Sequence, residues 1–153
     1  VIAKTRFMVL VEEWVINNLT LQIEKWQKKG LNPLVCLNLS HAFLNAPQFI
    51  DTIKRLAKKK LHNICFEVNL AKLSGKSKDY IPLLQYLKNH GFKLALDEFG
   101  AGAIQFKILQ QIPFDILKLD KETIQLLESS PKVTEQLSSV HSKTKPFLPL
   151  RPM

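Results

Sequence analysis

The stretch FKLALDEFGAG, Phe92–Gly102, runs from an apolar segment straight into two adjacent carboxylates and a glycine-bounded loop. Side chains alternate in a strand, so Leu94 and Leu96 fall on one face while Ala95 and Asp97 fall on the other. Two other runs repeat the design. In VCLN, Val35 and Leu37 oppose Cys36 and Asn38; in ICFE, Ile64 and Phe66 oppose Cys65 and Glu67. The bulky face suits packing against helices. The other face, small then polar, suits the interior of a curved parallel sheet, with Asn38, Glu67 and Asp97 converging at its carboxyl edge. In ILK, Ile116 and Lys118 share a face and bring a cation to the same rim. Ligands of parallel α/β architectures bind beyond the carboxyl ends of the strands. An amide oxygen, two carboxylates and a lysine there make an oxygen-rich site suited to Mg²⁺ or Mn²⁺ and an anionic substrate.

Outward from these runs, helices alternate with strands. Val11, Val15, Leu19, Ile23 and Trp26 recur at helical spacing, with Gly30 as a stop. NAPQFIDTIKRLAKK predicts a helix with Pro47 in its first turn and Phe49, Ile53, Leu56 and Ala57 on one face. YIPLLQYLKNHG predicts another, closing at Gly91; a short one is expected over AIQFKILQQI, and a last one from near Lys121. Strands are expected near 34–39, 63–68, 93–98 and 115–120. The pattern is that of βα units on a parallel sheet. From Ser138 the period fails and prolines stand at 146, 149 and 152, so residues 138–153 read as an irregular tail.

A chain of 153 residues can hold one ordinary domain but is short for a full (β/α)8 barrel of about 250 residues. Apolar residues at 46% and charged residues at 23% are globular values. The net charge of +9 suits an anionic ligand, yet most of the excess is lysine scattered on helix faces, such as Lys58-Lys59-Lys60; a solvated face is expected rather than a nucleic-acid surface. Cys36 and Cys65, in no metal-binding spacing, are expected to be buried thiols in a reducing cytoplasmic compartment. FMVLV is too short to span a bilayer, so no membrane association is expected. The chain begins at Val1, which reads as a fragment.

These runs, taken in order, resemble the EAL-domain family, the cyclic di-GMP phosphodiesterases of bacterial signalling. VCLNLSHAFLNAPQFI is similar to that family's V-N-L-S-x-x-x-L-x-x-P-x-F, and FEVNLAKL stands where its E-I-T-E belongs. GFKLALDEFGAG resembles G-x-x-x-A-L-D-D-F-G-T-G, and ILQQIPFDILKLDKETI resembles L-x-x-L-P-x-D-x-x-K-I-D-x-x-F. The resemblance runs from about Ala3 to Leu137, giving a partial EAL domain at 1–137, about half of a TIM-type barrel. It implies that Asn38, Glu67 and Asp97 are metal ligands, that Lys118 steadies the attacking water or a phosphate oxygen, and that two Mg²⁺ or Mn²⁺ ions open cyclic di-GMP to pGpG. Glu98 stands where the family has the second Asp of D-D-F-G, as a catalytic residue in altered form.

The departures set the expectation for this chain. The E-x-L strand, with its metal-binding Glu and a nearby Arg, lies outside it, and so does the A-E-G-V-E strand with the general base. Glu98 is one methylene too long, Leu70 replaces the last Glu of E-I-T-E, and AGAIQF stands for T-G-Y-S-S-L. A truncated, degenerate EAL domain without phosphodiesterase activity, and with weak or no metal binding, is the expected reading. The alternatives are a piece of an active cyclic di-GMP phosphodiesterase and a non-catalytic protein- or nucleotide-binding module. An open barrel edge would favour a protein partner or self-association.

Overall fold

The computed structural model describes residues 2–70, 77–99, 109, 111–119, 121, 124 and 125. In chain order its elements are α1 (Ile2–Lys28), β1 (Val35–Asn38), α2 (His41–Leu44), α3 (Phe49–Lys58), β2 (Ile64–Asn69), α4 (Ser77–Asn89), β3 (Lys93–Phe99) and β4 (Ile116–Leu119). The four strands form one sheet in the order β1-β2-β3-β4, and every neighbouring pair is parallel. The fold is α/β, part of a TIM-type barrel, as the alternation of βα units implies. The loop AGAIQF, most of the helix expected at 103–112 and the tail at 138–153 lie outside the described residues.

One core fills the space between helices and sheet. Ile64, Phe66 and Val68 of β2 and Leu94 and Leu96 of β3 pack with Ile16 and Ile23 of α1, Ile53 and Leu56 of α3, and Leu84 and Leu87 of α4. Phe66 and Phe92 meet edge to face at 5.4 Å between ring centres, a geometry aromatic quadrupoles favour. The bulky faces of the strands are therefore the helix-packed faces. Asp115 sets the start of β4: its carboxylate accepts from the Leu94 amide at 2.8 Å and pairs with Lys88 at 2.5 Å.

Several sequence expectations are corrected. The buried residues of α1 are Val9, Ile16, Thr20 and Ile23; of the stripe expected from the sequence, Ile23 is buried and Leu19 and Trp26 pack against the core, whereas Val11 is exposed. A 27-residue helix outruns a narrow seam, and both registers carry apolar residues. Pro47 lies ahead of α3, not inside it, because Ser40 starts a separate short helix: its Oγ accepts from the Phe43 amide at 3.1 Å, an N-cap. α4 begins at Ser77, a turn before the first apolar residue that marked it in the sequence. Cys36 is exposed, because β1 is an edge strand of the described sheet; only Cys65 is buried.

Candidate functional site

The register brings the candidate residues to one face and one end of the sheet. Asn38 of β1 is the direct partner of Glu67 on β2, and Glu67 is the partner of Ala95 on β3. One step further along, Asn69 pairs with Asp97. Ala95 pairs with Ile116, so Lys118, two residues on, shares their face. The rim thus holds Asn38, Glu67, Asp97 and Lys118, one on each of the four strands.

Glu67 is 8% exposed, and Lys118 reaches across β3 to it, with Nζ 2.6 Å from its carboxylate. That crossing needs a small residue on the intervening strand. Ala95, fully buried between Glu67 and Ile116, supplies it. The small-then-polar pattern read from the sequence thus has a concrete use: Ala95 leaves room for an ion pair to close over it. Burial works against the charge of Lys118, but the hydrogen bond and negative charge of Glu67, with Asp97 behind them, hold its pKa above the ordinary lysine value.

Glu98 departs from its neighbours. Its φ is +51°, a left-handed conformation costly for a side-chain-bearing residue. The register jumps there from Leu96–Leu117 to Phe99–Leu119, three residues of β3 against two of β4, a β-bulge. The bulge turns Phe99 back into the core, where regular alternation would have put it beside Asp97. The Glu98 carboxylate is exposed and accepts from Asn69 Nδ2 at 2.6 Å. Asp97 and Glu98 therefore do not sit alike: one shares the rim face with Glu67, and the other hydrogen-bonds Asn69 of β2.

Three participants escaped the sequence reading. Asn69 has a usable signal, since it follows Glu67 by two. Glu12 has none: 28 residues upstream of Ser40, it accepts the Ser40 amide at 2.8 Å and also the Ser40 hydroxyl, pinning the turn after Asn38 to α1. The third is the pairing of Cys36 with Cys65, direct register partners on β1 and β2. Burial chiefly, then Glu67, raises the Cys36 pKa; burial chiefly, then Cys36, pushes Cys65 up to about 12. No group of three or more His, Cys, Asp or Glu side chains poised for a metal exists among the described residues. Among them, no helix is long and apolar enough to cross a membrane.

The sequence model of the EAL domain matches residues 1–144. The chain belongs to the EAL-domain family. It is 27% identical over 127 residues to the cyclic di-GMP phosphodiesterase PdeR of Escherichia coli, covering 81% of this chain and 19% of that protein. Its fold matches the EAL domain of Mycobacterium smegmatis DcpA with a TM-score of 0.67 at 22% identity, over 85% of this chain and 62% of that one. The Xanthomonas citri FimX EAL domain, solved in complex with c-diGMP, matches with a TM-score of 0.71 at 21% identity, over 88% and 55%. This EAL chain is related to cyclic di-GMP phosphodiesterases, and it spans about a fifth of the length of the curated relatives it matches.

Proposed function

We propose that the rim is the metal-binding part of a cyclic di-GMP phosphodiesterase-type site, with Asn38, Glu67 and Asp97 as oxygen donors to Mg²⁺ or Mn²⁺. The observation that supports this most is the register, which sets Asn38 beside Glu67 and Asp97 one step further along the same face. An amide oxygen and two carboxylates fit a hard divalent cation, although three protein donors leave a six-coordinate ion largely to water. A bound ion would supply the lowering of a water's pKa that attack on a phosphodiester needs, with Asn38, Glu67 and Asp97 holding it. Lys118 is assigned to the attacking water or a phosphate oxygen. In the arrangement described here it holds Glu67 instead, so cation binding has to compete with an ion pair. Glu98, turned to Asn69, takes no part as a ligand.

On this reading the 153-residue chain alone binds Mn²⁺ weakly, in the millimolar range, and does not convert cyclic di-GMP to pGpG. Its described strands number four, against eight in a closed barrel. Mn²⁺ titration followed by electron paramagnetic resonance, with chromatography of nucleotide products, tests both statements. Mn²⁺ binding lost in Asp97→Ala supports the assignment; binding unchanged in that variant refutes it. Turnover above that of a Glu67→Ala, Asp97→Ala double variant refutes inactivity.

A second reading rests on α1. Phe7 and Trp14 there are 64% and 66% exposed, and Leu10 lies between them. With β1 and β4 as edges of the described sheet, this apolar stripe favours coverage by further barrel elements, a protein partner or a second copy. Sedimentation of the chain, with and without Trp14→Ser, reads out self-association. A cytoplasmic location fits both readings.

A further inference from the structure

We infer that the end of the sheet opposite the rim binds the phosphate group of a small hydroxylated phosphomonoester, held by Lys60, His62 and Lys93. A cavity of about 350 Å³ opens there, within the range of about 300–1,000 Å³ usual for small-molecule sites. Its walls come from the segments leading into β1 and β2, from the start of β3 and from the end of α1. Lys93 begins β3 and pairs with Cys65, so alternation sets it on the face of Ala95 and Asp97, at the other end of the strand. Gln27 and Asn32 line the cavity with the cations; among the described residues no carboxylate does.

Lys60 is what sets this cavity apart. Three helices, α1, α3 and α4, end alike: the amide two residues past the helix donates to the carbonyl three back, and the next amide to the carbonyl five back. The pairs are Gly30 with Gln27 and Leu31 with Trp26, Lys60 with Ala57 and Leu61 with Leu56, Gly91 with Lys88 and Phe92 with Leu87. Such a closure needs a left-handed residue, usually glycine. Gly30 and Gly91 supply it at φ +75° and +84°, but after α3 the residue is Lys60, at φ +56°. A side-chain-bearing residue is strained there, and strain of this kind clusters at ligand clamps. Lys60 lines the cavity, whereas its neighbour Lys59 pairs with Glu24 at 2.7 Å, so the lysine run is not one uniform solvated face. The closure also satisfies the last carbonyls of α3, which lessens the negative potential that a helix end turns toward an anion. Gly91 takes part too: a Cβ there would stand 2.8 Å from His62 Nδ1, so its absence lets the imidazole lie against the backbone at the cavity wall. Two ammonium groups and a ring N–H suit the oxygens of a phosphomonoester dianion, and the side-chain amides of Gln27 and Asn32 suit hydroxyls on the body it carries.

The test titrates the isotope-labelled full chain with ribose 5-phosphate, inorganic phosphate and sodium chloride at matched ionic strength, and follows the backbone amide resonances. Saturable shifts are expected at Lys60, His62 and Lys93, with ribose 5-phosphate binding more tightly than inorganic phosphate and chloride producing none. Lys60→Gly should weaken ribose 5-phosphate about tenfold, through loss of one charge-assisted hydrogen bond. The same variant should raise the urea midpoint, because glycine relieves the left-handed backbone. Lys93→Gln, which leaves the end of α3 untouched, should weaken binding to a similar extent. A Lys60→Gly chain that binds like wild type, or that unfolds at lower urea, overturns the proposal. So do shifts confined to Asn38, Glu67 and Asp97, shifts that chloride reproduces, or ribose 5-phosphate binding no more tightly than inorganic phosphate.

Discussion

Replacing Lys118 with methionine keeps the length of its stem but strips Glu67 of its cation. Glu67 has a side chain 9% exposed, whereas Lys118 is 39% exposed, so the pair is neither a surface ion pair nor a buried one. Exposed pairs are worth about 0.2–1 kcal/mol. Removing one partner from a fully buried pair costs about 3–5 kcal/mol, because the remaining charge stays out of water. With one end partly wet, Lys118→Met should cost about 2 kcal/mol. Glu67→Gln, which leaves the charge on the residue that can turn to solvent, should cost under about 1 kcal/mol. Urea denaturation at pH 7 reads both; with a slope of about 1–3 kcal/mol per molar for a small domain, the first variant should shift the midpoint by roughly 1 M. The asymmetry is the point at risk. If Glu67→Gln costs as much as Lys118→Met, or neither moves the midpoint, Glu67 is not the desolvated partner and the account of the rim fails.

Ala95→Leu should act like Lys118→Met and not add fully to it, since both break the crossing over β3; full additivity of the two midpoint shifts would separate Ala95 from the pair. Because the folded pKa of Lys118 is raised, the pair's contribution is complete below the ordinary lysine value of 10.5 and fades as pH climbs through the raised one. Cys65 adds a loss of the same sign: with an unfolded value near 9.0 and a folded value of about 12, its neutral thiol stabilises the fold below pH 9, and at about 1.4 kcal/mol per unit several kcal/mol disappear between those limits. Melting curves of wild type and Cys65→Ala across that window should diverge, with the variant losing less. Gly91→Ala should destabilise more than Gly30→Ala, as both sit at positive φ but only a Cβ on Gly91 meets His62 Nδ1, at 2.8 Å; thermal melts compare them.

The sequence by itself determined the strands, their parallel order and the face each rim residue occupies. Alternation is a local, period-two property, and VCLN, ICFE and LALD repeat it with bulky residues on one side. The family was legible for the same reason, since its motifs are short and contiguous. The tertiary structure alone decided what the rim residues do to one another. That Lys118 grips Glu67 depends on two crossovers, on Asp115 fixing the start of β4 and on Ala95 leaving a gap. The bulge at Glu98 was hidden because alternation assumes a regular strand, and only pairing with β4 forces the extra residue. Glu12 was hidden because its partner Ser40 is 28 residues away, a separation at which no periodicity carries information. Period-two patterns assign a side chain to a face; which charge it meets there depends on chain segments brought together from far along the sequence.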